Sequence, residues 1–137
     1  MTMIDTANAF FDACETGKGW AACKTFCTDN AGFSCQSDAL AEVTSLEAYT
    51  EWMKGLLTPI PDGHYVLKAF AVDEARGTAV AMAEFHGTQT GAGGPDAPTG
   101  NGVVSDYAYV MTFEGDKIAH MVKVWNDLHA LRQLGWA

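Results

Sequence analysis

Residues 98–136, PTGNGVVSDYAYVMTFEGDKIAHMVKVWNDLHALRQLGW, decide how the chain is read. Val103–Phe113 and Ile118–Asn126 alternate in side-chain character, the signature of strands with two distinct faces. Glu114-Gly115-Asp116-Lys117 joins them as a tight acidic-glycine turn. If Glu114 pairs with Lys117, opposed residues number to a constant sum. Asp106 then faces Trp125, Ala108 faces Lys123, and Tyr109 faces Val122. One face carries Tyr107, Tyr109, Met111, Phe113, Ile118, His120, Val122, Val124 and Asn126. The other carries Asp106, Ala108, Val110, Met121, Lys123 and Trp125. Both contain apolar residues, as expected if one lines a cavity and the other meets a second subunit. Leu128–Leu134 follows as a short amphipathic helix, with Gly135 as its stop.

Working outward, Ala79–Thr90 and His64–Val72 also alternate. Gly91–Gly102, GAGGPDAPTGNG, is a glycine-proline loop expected to be mobile and at the surface. Further upstream the period changes. Ser45 is a good N-cap for a helix over Leu46–Leu57, with Leu46, Tyr49, Trp52, Met53, Leu56 and Leu57 on one side. Pro59 and Pro61 end it. Ala31–Ser37 reads as a short strand after a turn at Asp29-Asn30. Trp20–Cys27 is in phase for a short helix, and Met3–Cys14 for a longer one, with Gly17 and Gly19 between them. Three helices around one short strand, then four long strands, predict a single α+β domain over residues 1–137 with a segregated antiparallel sheet.

The length of 137 residues suffices for one domain with its own core. A net charge of −9 argues against nucleic acid, whose phosphates need Lys and Arg. No run approaches the ~20 apolar residues of a membrane span, so no membrane association is expected. The first 16 residues lack the basic-then-apolar pattern of a signal peptide. Cys14, Cys23, Cys27 and Cys35 match no common zinc spacing. They read as reduced, partly buried thiols of a cytoplasmic protein.

Several short strings carry a resemblance. Pro61-Asp62 opens the first long strand, GTQTG spans Gly87–Gly91, PTG spans Pro98–Gly100, GDKI spans Gly115–Ile118, and LRQLG spans Leu131–Gly135. In this order the chain resembles the SnoaL-like polyketide cyclase family of the NTF2-like superfamily. The resemblance implies a cone: a curved sheet, three helices over its concave face, a mainly apolar pocket, and a homodimer formed through the sheet. It also implies an enzyme that needs no metal or organic cofactor and closes a ring by an intramolecular aldol step, one aspartate moving the protons. That family has a Trp, then an Asp four residues on, ahead of Gln-Leu-Gly. Here those positions are Val122 and Asn126. Either Asp127 takes the role through a one-residue shift, or the cyclase chemistry is absent.

The resemblance places the face bearing Tyr107 and Tyr109 inside, and with it His120. An imidazole among Tyr109, Met111 and Val122 is either a proton carrier near neutral pH or a satisfied core histidine. Asp127 is either a general base raised in pKa by an apolar pocket or the N-cap of the last helix. Asp106 forms a structural pair with Lys123 on the outer face, or serves as the acid/base group if the parity is reversed. Trp52, Tyr107, Tyr109, Met111, Asn126 and His86 complete the expected ligand-binding set; His86 with Glu84 is a conceivable dyad or a solvated face. The expected reaction is proton transfer on a small apolar carbonyl compound in an enclosed pocket, with Tyr107, Tyr109 or the Trp125 N–H holding the developing oxyanion. The alternative is a binding protein for a small hydrophobic ligand without catalysis, because the fold hosts both.

Overall fold

The computed structural model describes residues 1–137. Thr2 accepts a hydrogen bond from the Asp5 amide while Asp5 accepts one from the Thr2 amide, a capping box that starts α1 (Met3–Glu15). Ala7, Phe10, Phe11 and Cys14 recur on its inner face and are buried. Gly17 and Gly19, at φ 74° and 77°, turn the chain into α2 (Trp20–Cys23). The helix expected to continue to Cys27 stops early. A 3-10 turn follows, and Cys27 is already the first residue of β1 (Cys27–Cys35), where it pairs with Ile118. One helical turn carries little intrinsic stability, so strand pairing wins there.

Ser45 caps α3 (Leu46–Leu56) as expected, accepting from the Ala48 amide at 3.1 Å. The chain then forms β2 (His64–Asp73), β3 (Thr78–Thr88), β4 (Gly102–Glu114) and β5 (Lys117–Trp125), and closes with α4 (Asp127–Leu134). The sheet order is β1-β5-β4-β3-β2, antiparallel except that β1 lies parallel to β5. Gly135, at φ 78°, ends α4 in the left-handed conformation. The fold is α+β, with the core between the helices and the inner sheet face. No helix is long and apolar enough to cross a membrane. All four cysteines are free thiols: Cys14, Cys23 and Cys27 buried, Cys35 half-buried.

The hairpin β4–β5 departs from a regular ladder in one place. Glu114 pairs with Lys117 and Phe113 with Ile118, but Thr112 pairs with His120, so Ala119 is an extra residue in β5. Beyond it every β5 side chain changes face relative to the constant-sum expectation. Tyr109 opposes Lys123, not Val122, and Tyr107 opposes Trp125. Met121 and Lys123 are buried, whereas Val122 and Val124 are 36% and 59% exposed. The alternation could not reveal this, because both sets of β5 residues contain large apolar side chains.

The loop between β3 and β4 is exposed from Pro95 to Asn101, but its ends are anchored. The fully buried Gln89 side chain accepts from the Thr99 amide and hydroxyl at 2.9 and 2.8 Å. The Leu134 carbonyl lies 3.1 Å from the same Thr99 Oγ1 and competes with Gln89 for its one proton. Gln133 bonds both the N–H and the C=O of Val104, each at 2.9 Å. The strings GTQTG, PTG and LRQLG therefore converge in space and clamp α4 against the start of β4. Their role is structural: they hold the helix that covers the open end of the sheet.

Candidate functional site

A narrow cavity of about 50 Å³ lies between α3, the inner faces of β4 and β5, and α4, and opens past Trp52, Leu56, Leu131 and Trp136 into a wider surface cleft. Thirteen of its sixteen lining residues are hydrophobic, so a ligand there loses water on nearly every side. Trp52 and Met53 come from α3, Phe85 from β3, Tyr107 from β4, Trp125 from β5, and Leu131 and Trp136 from the C-terminal end. Ser105, Glu15 and Lys123 supply the polar part of the wall.

Glu15 and Lys123 are 2% and 6% exposed, and no direct ion pair joins them. Two tyrosines connect them instead. Lys123 Nζ donates to the Tyr49 hydroxyl at 3.0 Å, Tyr49 and Tyr109 share a bond of 2.5 Å, and Tyr109 donates to Glu15 Oε2 at 2.6 Å. A lysine can only donate and a carboxylate can only accept, so the chain runs in one direction, Lys123 to Tyr49 to Tyr109 to Glu15. Burial raises the Glu15 carboxyl above its usual pKa, with the Lys123 charge pulling the other way. Burial lowers the Lys123 ammonium below its usual value, against the attraction of Glu15. Both shifts favour the uncharged forms. Moving each proton one step along the chain reaches that state with no change in net charge.

Lys123 Nζ is also enclosed by aromatic rings, 4.3 Å from the Trp125 centroid, 5.1 Å from Tyr49, 5.2 Å from Trp52 and 5.4 Å from Tyr107. The Trp136 indole N–H has no partner in the protein, and the Tyr107 hydroxyl makes no well-formed hydrogen bond although it lies close enough to the Glu15 carboxylate to interact with it. A buried donor without a good partner is costly, so a ligand oxygen that met the Tyr107 hydroxyl would be favoured. Burial, reinforced by the Glu15 charge, pushes the Tyr107 phenol far up, so it remains a donor at any ordinary pH. The Trp125 N–H is committed elsewhere, to Ser105 Oγ at 3.0 Å, which removes it from the expected oxyanion role.

Of the residues expected from the sequence, Trp52 and Tyr107 stand in the cavity wall. Tyr109 sits just behind it in the proton chain, and Met111 is buried deeper without reaching the wall. His120 requires correction. The bulge turns it to the outer face, where its Nε2 meets Ser34 Oγ at 3.0 Å. Asp106 is exposed on that same outer face, opposite Glu84, and its expected partner Lys123 has gone inside. His86 lies there too, 3.3 Å from Glu84 and stacked on His64.

Asn126, expected at the ligand, is the N-cap of α4 instead and accepts from the His129 amide at 3.2 Å. Asp127, expected as base or cap, is the first helical residue. Its carboxylate accepts from the Ala39 and Leu128 amides at 3.0 and 2.8 Å and does not line the cavity. An acidic residue in a helix's first turn also meets the positive end of its dipole.

Glu15 and Lys123 were not anticipated. Glu15 had a readable signal: it follows Ala7 and Phe11 at spacing four, so it shares their buried helix face. Lys123 had none short of the bulge.

A profile of the SnoaL-like domain matches residues 7–121. The chain belongs to the SnoaL-like family. No curated protein matches its sequence. Among solved structures, a candidate SnoaL-like polyketide cyclase from Jannaschia sp. CCS1 superposes with a TM-score of 0.79 at 18% identity, over 98% of this chain and 92% of that one. AclR, a candidate hydroxylase from Streptomyces galilaeus, gives 0.78 at 16% identity, over 98% and 82%. An NTF2-like protein of unknown function from Burkholderia pseudomallei gives 0.72 at 10% identity, over 98% of each chain. At such identities the likeness speaks for the fold, and the fold is the NTF2-like cone that the sequence strings implied. The SnoaL-like domain here places its ionisable pair on α1 and β5, not at the β5–α4 junction.

Proposed function

We propose that this SnoaL-like protein is a cofactor-independent enzyme of the cyclase/isomerase type that moves protons on a small apolar carbonyl compound in the cavity. One observation carries the reading: a buried carboxyl and a buried amine terminate an oriented tyrosine chain beside a wall that is otherwise apolar. In the charged form of the chain, with Lys123 protonated, the Glu15 carboxylate takes the role expected of Asp127 and removes a proton alpha to the carbonyl, its raised pKa making it the stronger base. The Tyr107 hydroxyl holds the developing enolate oxygen. The similarity to the candidate polyketide cyclase of Jannaschia sp. CCS1 agrees with this reaction class.

Exchange of alpha protons tests it without the physiological substrate. Phenylacetone and a panel of alkyl ketones in heavy water, followed by proton NMR, should lose alpha signal faster with protein than with buffer. Glu15→Gln should slow that exchange by about 100-fold or more. Exchange no faster than buffer across the panel, or undiminished in Glu15→Gln, overturns the assignment. The apolar wall also favours a second reading, a binding protein for a small hydrophobic ligand, which binding without exchange would support.

The outer sheet face fits a homodimer, because Val80, Val110 and Val122 form one row across β3, β4 and β5, with Met82, Ala108 and the exposed Val124 in the next. Light scattering on Val124→Glu, expected to be monomeric where the parent is dimeric, tests that part.

A further inference from the structure

We propose that Lys123 is a nucleophile that captures an aldehyde or ketone in the cavity as an imine. This rests on the reading that the cavity admits a small apolar carbonyl compound, but it requires no turnover. Three features of the geometry support it. Lys123 Nζ stands at the cavity wall, almost wholly out of solvent, with one hydrogen bond and no carboxylate against it. Its one partner, the Tyr49 hydroxyl, opens the path along which the ammonium proton can leave, through Tyr109 to Glu15. The aromatic faces around it accept a planar, conjugated cation as well as they accept the ammonium. A lysine desolvated in an apolar site is the usual setting for imine chemistry.

The step balances. The Nζ lone pair attacks the carbonyl carbon, a C–N bond forms, the C=O π bond breaks, and the oxygen takes a proton. The carbinolamine then loses that oxygen as water, both of whose hydrogens derive from the amine, and C=N forms. A proton returning from Glu15 along the tyrosines converts the imine to its iminium. The Tyr107 hydroxyl, on a ring whose centroid is 5.4 Å from Lys123 Nζ, is the donor for the departing oxygen.

Benzaldehyde with cyanoborohydride at pH 7 is the probe, read by peptide mass mapping of the intact wild-type chain after quenching. Reduction leaves a secondary amine heavier by the aldehyde less its oxygen. Roughly one exposed lysine in a few thousand is neutral at that pH. Lys123 should therefore be labelled at least about tenfold faster than Lys18, Lys24, Lys54, Lys68 or Lys117, and excess benzyl alcohol should protect it. Lys123→Arg should lose the adduct while keeping the positive charge.

Benzyl alcohol, which cannot form an imine, separates the two levels of the argument. If saturation-transfer NMR shows it bound but Lys123 gains no adduct, or gains it no faster than the exposed lysines, the imine is refuted and the cavity reading stands. If neither molecule binds, the imine falls together with the cavity reading beneath it.

Discussion

Replacing Met121 and Val122 in turn by alanine tests the bulge at Ala119, on which the candidate site depends. Met121 is fully buried, and its alanine variant removes three side-chain heavy atoms from the core. At about 0.8 kcal/mol for each methylene-sized group the transfer loss is about 2.4 kcal/mol. Incomplete collapse of the space left behind brings the expected cost to about 3 kcal/mol. Val122 is 36% exposed on the opposite face, and losing its two methyls should cost about 1 kcal/mol or less. Urea unfolding followed by circular dichroism gives both differences. Several protein concentrations are needed, because a subunit packed on the outer face would make the Val122 cost depend on concentration while leaving the Met121 cost fixed. A hairpin without the extra residue predicts the reverse order. A Val122→Ala variant less stable than Met121→Ala would therefore refute the register, and with it the inward placement of Lys123.

The tyrosine chain makes its own predictions. Tyr109→Phe removes the donor to Glu15 and strands the Tyr49 hydroxyl, so stability at pH 7 should fall by about 3 kcal/mol in urea unfolding; a loss under about 0.5 kcal/mol would show that the chain does not form. All four tyrosines have raised pKa values, Tyr65 to about 12 through burial and its bond to Asp12, and the other three further. Absorbance titration should thus show no phenolate near pH 10, where free tyrosine ionises. Because the folded state keeps protons that the unfolded chain loses, stability should fall as pH rises above about 10; four phenols titrating near 10 in the folded protein would contradict the burial. Asp127→Asn removes a carboxylate from the first turn of α4 and weakens its bond to Ala39, for a cost of about 1 kcal/mol. It should leave ketone exchange within about twofold of the parent, whereas a loss as large as that of Glu15→Gln would return the catalytic role to the β5–α4 junction.

The strands, the helix caps and the closing α4 were legible because each rests on local rules. Ser45 capped the helix it was expected to cap, and the alternation of Val103–Phe113 matched a buried inner face. Trp52 and Tyr107 were legible as cavity residues for the same reason, since their parity on α3 and β4 is undisturbed. The trouble began beyond Ala119. Each residue assigned to a face of β5 from that point, His120 and Lys123 included, was placed on the wrong side by one step of register. The junction failed differently: Asn126 and Asp127 are both competent caps, and one residue of helix phase decided which became the cap.

By itself the sequence determined an α+β chain with an antiparallel meander and the starts and stops of its longer helices. Those follow from backbone preference and side-chain periodicity, which act over a few neighbouring residues. Tertiary structure alone decided that Glu15, Tyr49, Tyr109 and Lys123, drawn from α1, α3, β4 and β5, meet in one chain. Their meeting depends on a single inserted residue in the ladder and on which apolar set packs better inside, a comparison between distant surfaces that no local pattern encodes.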